Sequence, residues 1–223
     1  MRLPVVSGPL RGRWWLPASR GKVLRVLGGS YEPEQTRRFE ASVLPGGTVL
    51  DIGAHVGYYT LLASDLVGDT GTVWAFEPNP RNARFLRRHV EINRCGNVRI
   101  VEAAVSDRGG AARFAAGSGS GTGRLADAGA LEVRTVRLDE YCARHGIAPS
   151  VLKIDVEGGE LAALRGARDL LSRGRPVLFL STHGADVHRA CTALLRSLGY
   201  EMRPIVGEDA ASAPELLCIP TGE

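Results

Sequence analysis

The chain has 223 residues, enough to bury the core of one large α/β domain, and its 44% hydrophobic and 23% charged residues are ordinary for a soluble globular protein rather than a disordered or fibrous one. A net charge of +4 with arginine spread along the chain permits nucleic acid but does not indicate it, and no run is long and apolar enough to span a membrane. The four cysteines (Cys95, Cys142, Cys191 and Cys218) lie far apart with no C-x-x-C pair, which argues against zinc, redox or disulfide frameworks and for free thiols. The first ten residues, broken by Pro4 and Pro9, carry no apolar signal core, so a cytoplasmic protein is expected.

Residues 1–40 read as an N-terminal extension. Trp14 and Trp15 fall in a segment able to pair as a short hairpin. The stretch from Gly28 through Glu32 to Glu34 then leads into a helix through Arg38 and Phe39. Such a segment either folds over a ligand mouth and shapes the substrate entrance, or covers a sheet edge. Residues 41–223 read as a single domain.

Val49, Leu50 and Ile52 form a short apolar run, as expected of a strand covered on both faces. Gly53 and Gly57 bracket a tight turn, and Val56, Leu62, Ala63 and Leu66 are spaced like the buried face of a helix. Strand, glycine turn and helix N-terminus form the usual nucleotide-cofactor cradle of doubly wound folds. Dinucleotide binders carry G-x-G-x-x-G there. This chain instead has Asp51-x-Gly53-x-x-x-Gly57, with a carboxylate that would repel an anionic cofactor. S-adenosylmethionine, whose amino group and sulfonium are positive, fits better. Glu77 ends the next apolar run, Val73–Phe76, where an acid commonly holds ribose hydroxyls.

Asn79-Pro80 starts a helix lined by Ala83, Leu86 and Val90, with Gly96 as its stop. Val98–Val101 is the third strand, and the small residues after it, Ala103 and Ala104, suit an adenine ring. Residues 108–137 read as an inserted hairpin whose tip, Gly117–Gly123, is a flexible glycine-serine loop. A short helix spans Asp139–Arg144. Val151–Asp155 and Pro176–Leu180 are the fourth and fifth core strands, and the helix on Ala190, Leu194 and Leu198 stops at Gly199. The runs Tyr200–Val206 and Glu215–Ile219 form a C-terminal hairpin. The order matches a class I methyltransferase (Rossmann-like) fold: a seven-stranded, mostly parallel α/β sheet with helices on both faces.

Ligands in open α/β sheets bind outside the carboxyl ends of the strands. Asp155 and Glu157 therefore face the same crevice as Asp51, and His183 can reach it from beyond the fifth strand. Lys153, within its strand, is positioned to pair with an acid. Asp155 could instead cap the next helix, with Glu157 and Glu160 complementing its dipole. His55 reads as a backbone contributor to the glycine turn; His89, His145 and His188 read as surface residues on helices.

The segments VLDIGAHVGYYTLLAS, FEPNP, VRIVEAAVSD and LKIDVEGGELAALRGA, in this order, resemble the FkbM family of S-adenosylmethionine-dependent methyltransferases. The resemblance runs from about Gly28 to His183, and the KIDVEG-x-E box is its most diagnostic part. It implies O-methylation of a hydroxyl on a sugar, glycolipid or natural product. It also implies cofactor roles for Asp51, Gly53, Gly57 and Glu77, and site roles for Asp155, Glu157 and His183. Glu32, Ala54, His55, Pro78 and Ala104 complete the expected cofactor set, with Asp155 shared between cofactor and acceptor. Many relatives carry an acid two residues before the histidine after the fifth strand; here Ser181 stands there.

Such a reaction needs an aligned hydroxyl and a group to take its proton. His183 or Asp155 can serve as base. A divalent cation, Mg²⁺ or Mn²⁺, on Asp155, Glu157 and His183 is a third route, with no residue assigned as an obligatory metal ligand. The expected partner is a small-molecule or glycan acceptor, with no nucleic acid and no membrane span. A nicotinamide-dependent oxidoreductase and a non-catalytic S-adenosylmethionine-binding protein are the alternatives.

Overall fold

The structure, a computed structural model, describes residues 1–19, 22–115, 124–125 and 129–222; the expected Gly117–Gly123 tip lies outside them. The N-terminal segment pairs β1 (Leu3–Pro4) with β2 (Trp14–Trp15), antiparallel, and continues into α1 (Val23–Leu27) and α2 (Pro33–Ser42). Two βα units follow: β3 (Thr48–Ile52), α3 (Tyr58–Val67), β4 (Thr72–Phe76) and α4 (Pro80–Ile92), closed by β5 (Val98–Val101). Then come β6 (Ala104–Val105), β7 (Gly110–Ala115), β8 (Arg124–Leu125) and β9 (Leu131–Val136). The chain finishes with α5 (Leu138–His145), β10 (Val151–Ile154), α6 (Glu160–Gly166), β11 (Val177–Ser181), α7 (Ala185–Ser197), β12 (Tyr200–Pro204) and β13 (Glu215–Pro220).

The main sheet has seven strands in the order β12-β13-β11-β10-β3-β4-β5. From β11 to β5 neighbouring strands are parallel, and β13 runs antiparallel to both β11 and β12. The central strands are apolar because helices cover both faces: Val49, Leu50 and Ile52 of β3 and all four residues of β10 are buried. The inserted segment forms its own sheet, β6-β9-β7-β8, around Ala104, Phe114 and Val133.

Helix α3 is buried more completely than a single apolar face requires, because α2 covers its outer side. Phe39 of α2 meets Tyr59 edge-on, with ring centroids 5.1 Å apart. Helix α4 starts as its sequence dictates, the Arg81 N–H donating to Asn79 Oδ1 at 3.0 Å. It ends at Ile92, short of Gly96, because the Asn93 side chain is engaged elsewhere. Asn93 accepts from the Trp14 N–H at 2.7 Å and donates to the Trp14 carbonyl at 2.9 Å, which clamps β2 to the end of α4.

His89 and His188 are not surface residues. His89 is fully buried. The Leu16 N–H donates to its Nε2 at 2.9 Å, Nδ1 donates to the Val56 carbonyl at 2.7 Å, and the ring stacks on Trp15 at 4.0 Å. Burial holds its pKa down at about 4, so it is a neutral strut. His188 lies between the Thr182 hydroxyl and the Ala210 carbonyl, each 3.0 Å away. His145 is exposed, and all four cysteines are buried free thiols. Among the described residues, no helix is long and apolar enough to cross a membrane.

Candidate active site

The carboxyl ends of β4, β3, β10 and β11, together with the start of β13, border a cavity of about 410 Å³. Every residue singled out from the sequence lines it except Gly57. A Cβ on Gly57, where φ is +100°, would stand 2.6 Å from Leu86 Cδ1, so this glycine serves the packing of α3 against α4. Gly53 is constrained by the sheet. At φ +82° a Cβ would fall 1.9 Å from the Asp155 carbonyl oxygen, so only glycine lets the β3 turn lie against the end of β10.

Asp51 is almost fully buried. Its Oδ2 accepts from the Thr60 hydroxyl at 2.6 Å, and its Oδ1 has no hydrogen-bond partner among the described residues. Burial raises its pKa, against the opposing pull of Lys153 and Thr60. Glu77 accepts from the His55 N–H at 2.8 Å and from the Asn79 N–H at 2.9 Å, with the Asn82 amide at 3.4 Å. Burial nevertheless pushes its pKa up to about 7. His55 thus contributes its backbone, in a left-handed conformation with φ +52°. Pro78 and Ala104 flank Glu77, and Phe114 of the inserted hairpin joins them.

Two strands from Glu77, a second centre forms around Asp155. Buried Lys153 donates to its Oδ2 at 3.2 Å and lies 4.9 Å from the Tyr59 ring centroid. Burial pushes the Asp155 carboxyl up, but Lys153 and His183 outweigh it and hold the pKa below the ordinary value. Burial likewise works against the Lys153 ammonium, and Asp155 and Asp51 overcome it, leaving its pKa raised.

Asp155 does not cap α6, whose N-cap is Gly159. Between them Glu157 and Gly158 both take left-handed angles, φ +55° and +100°, in a turn that presents Glu157 to the cavity. His183 meets this turn from beyond β11. Its Nε2 lies 3.5 Å from Glu157 Oε2 and 3.8 Å from Asp155 Oδ1, while its Nδ1 is 2.8 Å from the wholly buried Glu160. The same Glu160 oxygen accepts from the Gly158 N–H at 2.9 Å. The Glu160 hydrogen bond, reinforced by Glu157 and Asp155, pushes the His183 pKa up to about 9. Asp155, Glu157 and His183 each offer a ligand atom within 4.8 Å of the others, so this trio could hold a cation.

Glu32 lines the same cavity from the N-terminal segment, just before α2. Its Oε2 accepts from Tyr59 Oη at 3.1 Å and from Gln35 Nε2 at 3.2 Å, and Oε1 lies 3.7 Å from Lys22 Nζ. The N-terminal segment lines the cavity through Trp15, Lys22, Val23, Val26 and Tyr31. Tyr31, Tyr58, Phe114, Glu160 and Glu215 are site residues that sequence reasoning did not assign. Glu160 alone had a usable signal, as the final acid of the KIDVEG-x-E box.

This sheet order and its cavity at the carboxyl edge define a class I S-adenosylmethionine-dependent methyltransferase fold. The fold is shared with the solved methyltransferase FkbM from Methylobacillus flagellatus, at 19% identity and a TM-score of 0.57 over 82% of this chain and 50% of that one. Residues 51–202 match the family model of the methyltransferase FkbM domain, and the chain belongs to that family. Among curated relatives, the 2-O-methyltransferase NoeI of Sinorhizobium fredii is 26% identical over 163 residues, 64% of this chain and 65% of that protein. The hexuronic acid methyltransferase AglP of Haloferax volcanii is 28% identical over 139 residues, 61% of this chain and 56% of that protein. The chain thus matches less than two thirds of the length of either relative.

Proposed function

We propose that this chain is an O-methyltransferase, moving a methyl group from S-adenosylmethionine to a hydroxyl of a sugar, glycolipid or natural-product acceptor. The observation that carries the reading is one cavity with two chemically distinct ends. One end has Glu77 and the unpartnered Asp51 oxygen; the other has Asp155, Glu157 and His183. The name of the NoeI relative supports methyl transfer to oxygen, and that of the AglP relative a sugar-type acceptor.

The residues fit the cofactor. The buried Asp51 Oδ1 lacks a donor, which an amino group would supply. Glu77, fixed by two backbone N–H groups, offers its remaining lone pairs to ribose hydroxyls. The backbone at Gly53, Ala54 and His55 allows close approach, and Pro78 and Ala104 bound the flat side. When bound, S-adenosylmethionine supplies an electrophilic methyl group.

The chain's own groups prepare the hydroxyl. In its neutral ring form, whose share grows as pH rises toward the pKa of about 9, His183 takes the hydroxyl's proton on Nε2, and Glu160 fixes Nδ1 as the ring's donor. Asp155, kept ionised by Lys153, orients the hydroxyl and steadies the imidazolium, which makes it the poorer base of the two. Base assistance of this kind contributes ~10²–10⁴-fold, beside what alignment contributes. A second reading, a divalent cation such as Mg²⁺ or Mn²⁺ on Asp155, Glu157 and His183, is favoured by the 4.8 Å spread of their ligand atoms. We further take residues 1–40 as an entrance segment on a single domain of residues 41–223, in keeping with the cavity lining from Trp15 to Tyr31.

Calorimetric titration with S-adenosylhomocysteine, and separately with NADH, tests the reading. Micromolar binding of the thioether that Glu77→Ala abolishes is the expected result. NADH binding without thioether binding would overturn it in favour of an oxidoreductase. Methyl transfer to an acceptor panel, with and without EDTA, then separates the base from the cation.

A further inference from the structure

The sheet order locates the acceptor end of the cavity. Along its edge, Glu77 follows β4, Asp51 belongs to β3, Asp155 follows β10, Ser181 ends β11 and Glu215 begins β13. With neighbouring strands ~4.8 Å apart, Glu215 stands roughly 19 Å from Glu77 along this edge. A cofactor held by Glu77 and Asp51 occupies the β4–β3–β10 side and leaves the β11–β13 side to the acceptor.

That side is built for a particular charge. Glu215 lines the cavity half-buried, and its carboxylate makes no hydrogen bond or ion pair among the described residues. Burial, Glu32 and Asp155 all push its pKa up, so it lies in a negative field that the nearby lysines leave uncancelled. Lys153 is already engaged by Asp155, and Lys22 is half-exposed beside Glu32. Over the whole cavity, six carboxylates face two lysines and His183, which its pKa of about 9 keeps largely cationic at neutral pH, so negative charge still predominates. Tyr31 and Tyr59 add aromatic walls that suit a sugar-like face or an organic cation.

We propose that Glu215, with Glu32, selects the acceptor by charge: the hydroxylated acceptor carries a protonated amine near the methylated position, and its carboxylated counterpart is excluded. The proposal rests on the methyltransferase reading and deepens it. It sets this chain apart from the AglP relative, which is named for a hexuronic acid.

The test uses the full chain saturated with S-adenosylhomocysteine, titrated with methyl glucosaminide, methyl glucoside and methyl glucuronide, and the same panel on Glu215→Gln. The expected result is glucosaminide binding at least tenfold tighter than glucuronide, with the difference falling below threefold in Glu215→Gln. Equal binding, a preference for glucuronide, no binding of glucosaminide, or a preference unchanged in Glu215→Gln would overturn the proposal. Glu215 lies away from Glu77, so the variant should keep wild-type affinity for S-adenosylhomocysteine, which controls for folding. Failure of the methyltransferase reading would show separately, as no S-adenosylhomocysteine binding at all.

Discussion

Glu77 should make cofactor binding depend on pH in a way that can be worked out in advance. Its carboxyl is buried, and its pKa rises from an ordinary 4.5 to about 7. A folded-state value above the unfolded one gives a contribution to stability that is complete below pH 4.5 and lost as pH rises through 7. At about 1.4 kcal/mol per pH unit, the loss amounts to about 3 kcal/mol. Hydroxyl donors favour the ionised form, so the cofactor should bind the carboxylate. With a pKa near 7, about a tenth of the free protein is ionised at pH 6 and about nine tenths at pH 8. Affinity for S-adenosylhomocysteine should therefore rise by about tenfold between those values. Calorimetry at pH 6.5 in two buffers of different ionisation enthalpy should detect proton release on binding. Glu77→Gln should bind weakly and without that pH dependence, which separates Glu77 from Asp51. A dissociation constant flat from pH 6 to 8, or proton uptake on binding, would refute the reasoning.

Other perturbations test the rest of the site. Gly53→Ala places a Cβ against the Asp155 carbonyl in a left-handed turn, and should cost more than ~3 kcal/mol in a thermal melt and abolish cofactor binding. Glu160→Gln should lower the His183 pKa from about 9 toward its ordinary value, moving the acidic limb of the pH–rate profile to lower pH and reducing the maximal rate by about tenfold. Lys153→Met leaves the Asp155 and Asp51 carboxylates uncompensated and should destabilise the fold by ~3–5 kcal/mol by denaturant titration. His89→Leu removes two hydrogen bonds and the Trp15 stack and should cost ~2–3 kcal/mol at neutral pH. The His89 pKa is depressed in the fold, so the wild-type contribution is full above pH 6.5 and lost as pH falls through 4; acid melts of the two proteins should converge there.

What could be read in advance was local. The β3 turn is written within seven residues, Asp51 to Gly57, and Glu77 follows its strand directly, so strand ends and cofactor candidates emerged together. That Lys153 pairs with an acid was legible for the same reason, though its partner Asp155 emerged only in the fold. What escaped depends on partners distant in the chain. His89 stands three residues after Leu86, on the flank of the helix's apolar face, but its polar side chain reads as exposed; it is buried because Leu16 and Val56, 73 and 33 residues away, converge on its two nitrogens. Glu160 reads as a first-turn acid complementing a helix dipole; its tie to His183 appears only once β11 carries that histidine back over the turn. Glu215 reads as the first residue of a C-terminal hairpin strand. It reaches the site because β13 inserts antiparallel beside β11, so its beginning lies where the parallel strands end. One topological fact thus divides the cavity. The parallel strands from β4 to β11 deliver their carboxyl-terminal residues to its edge, and the reversed strand β13 adds its amino-terminal residue beside β11, at the proposed acceptor end. Replacing Glu215 should therefore change which acceptor is chosen while leaving the cofactor's affinity intact.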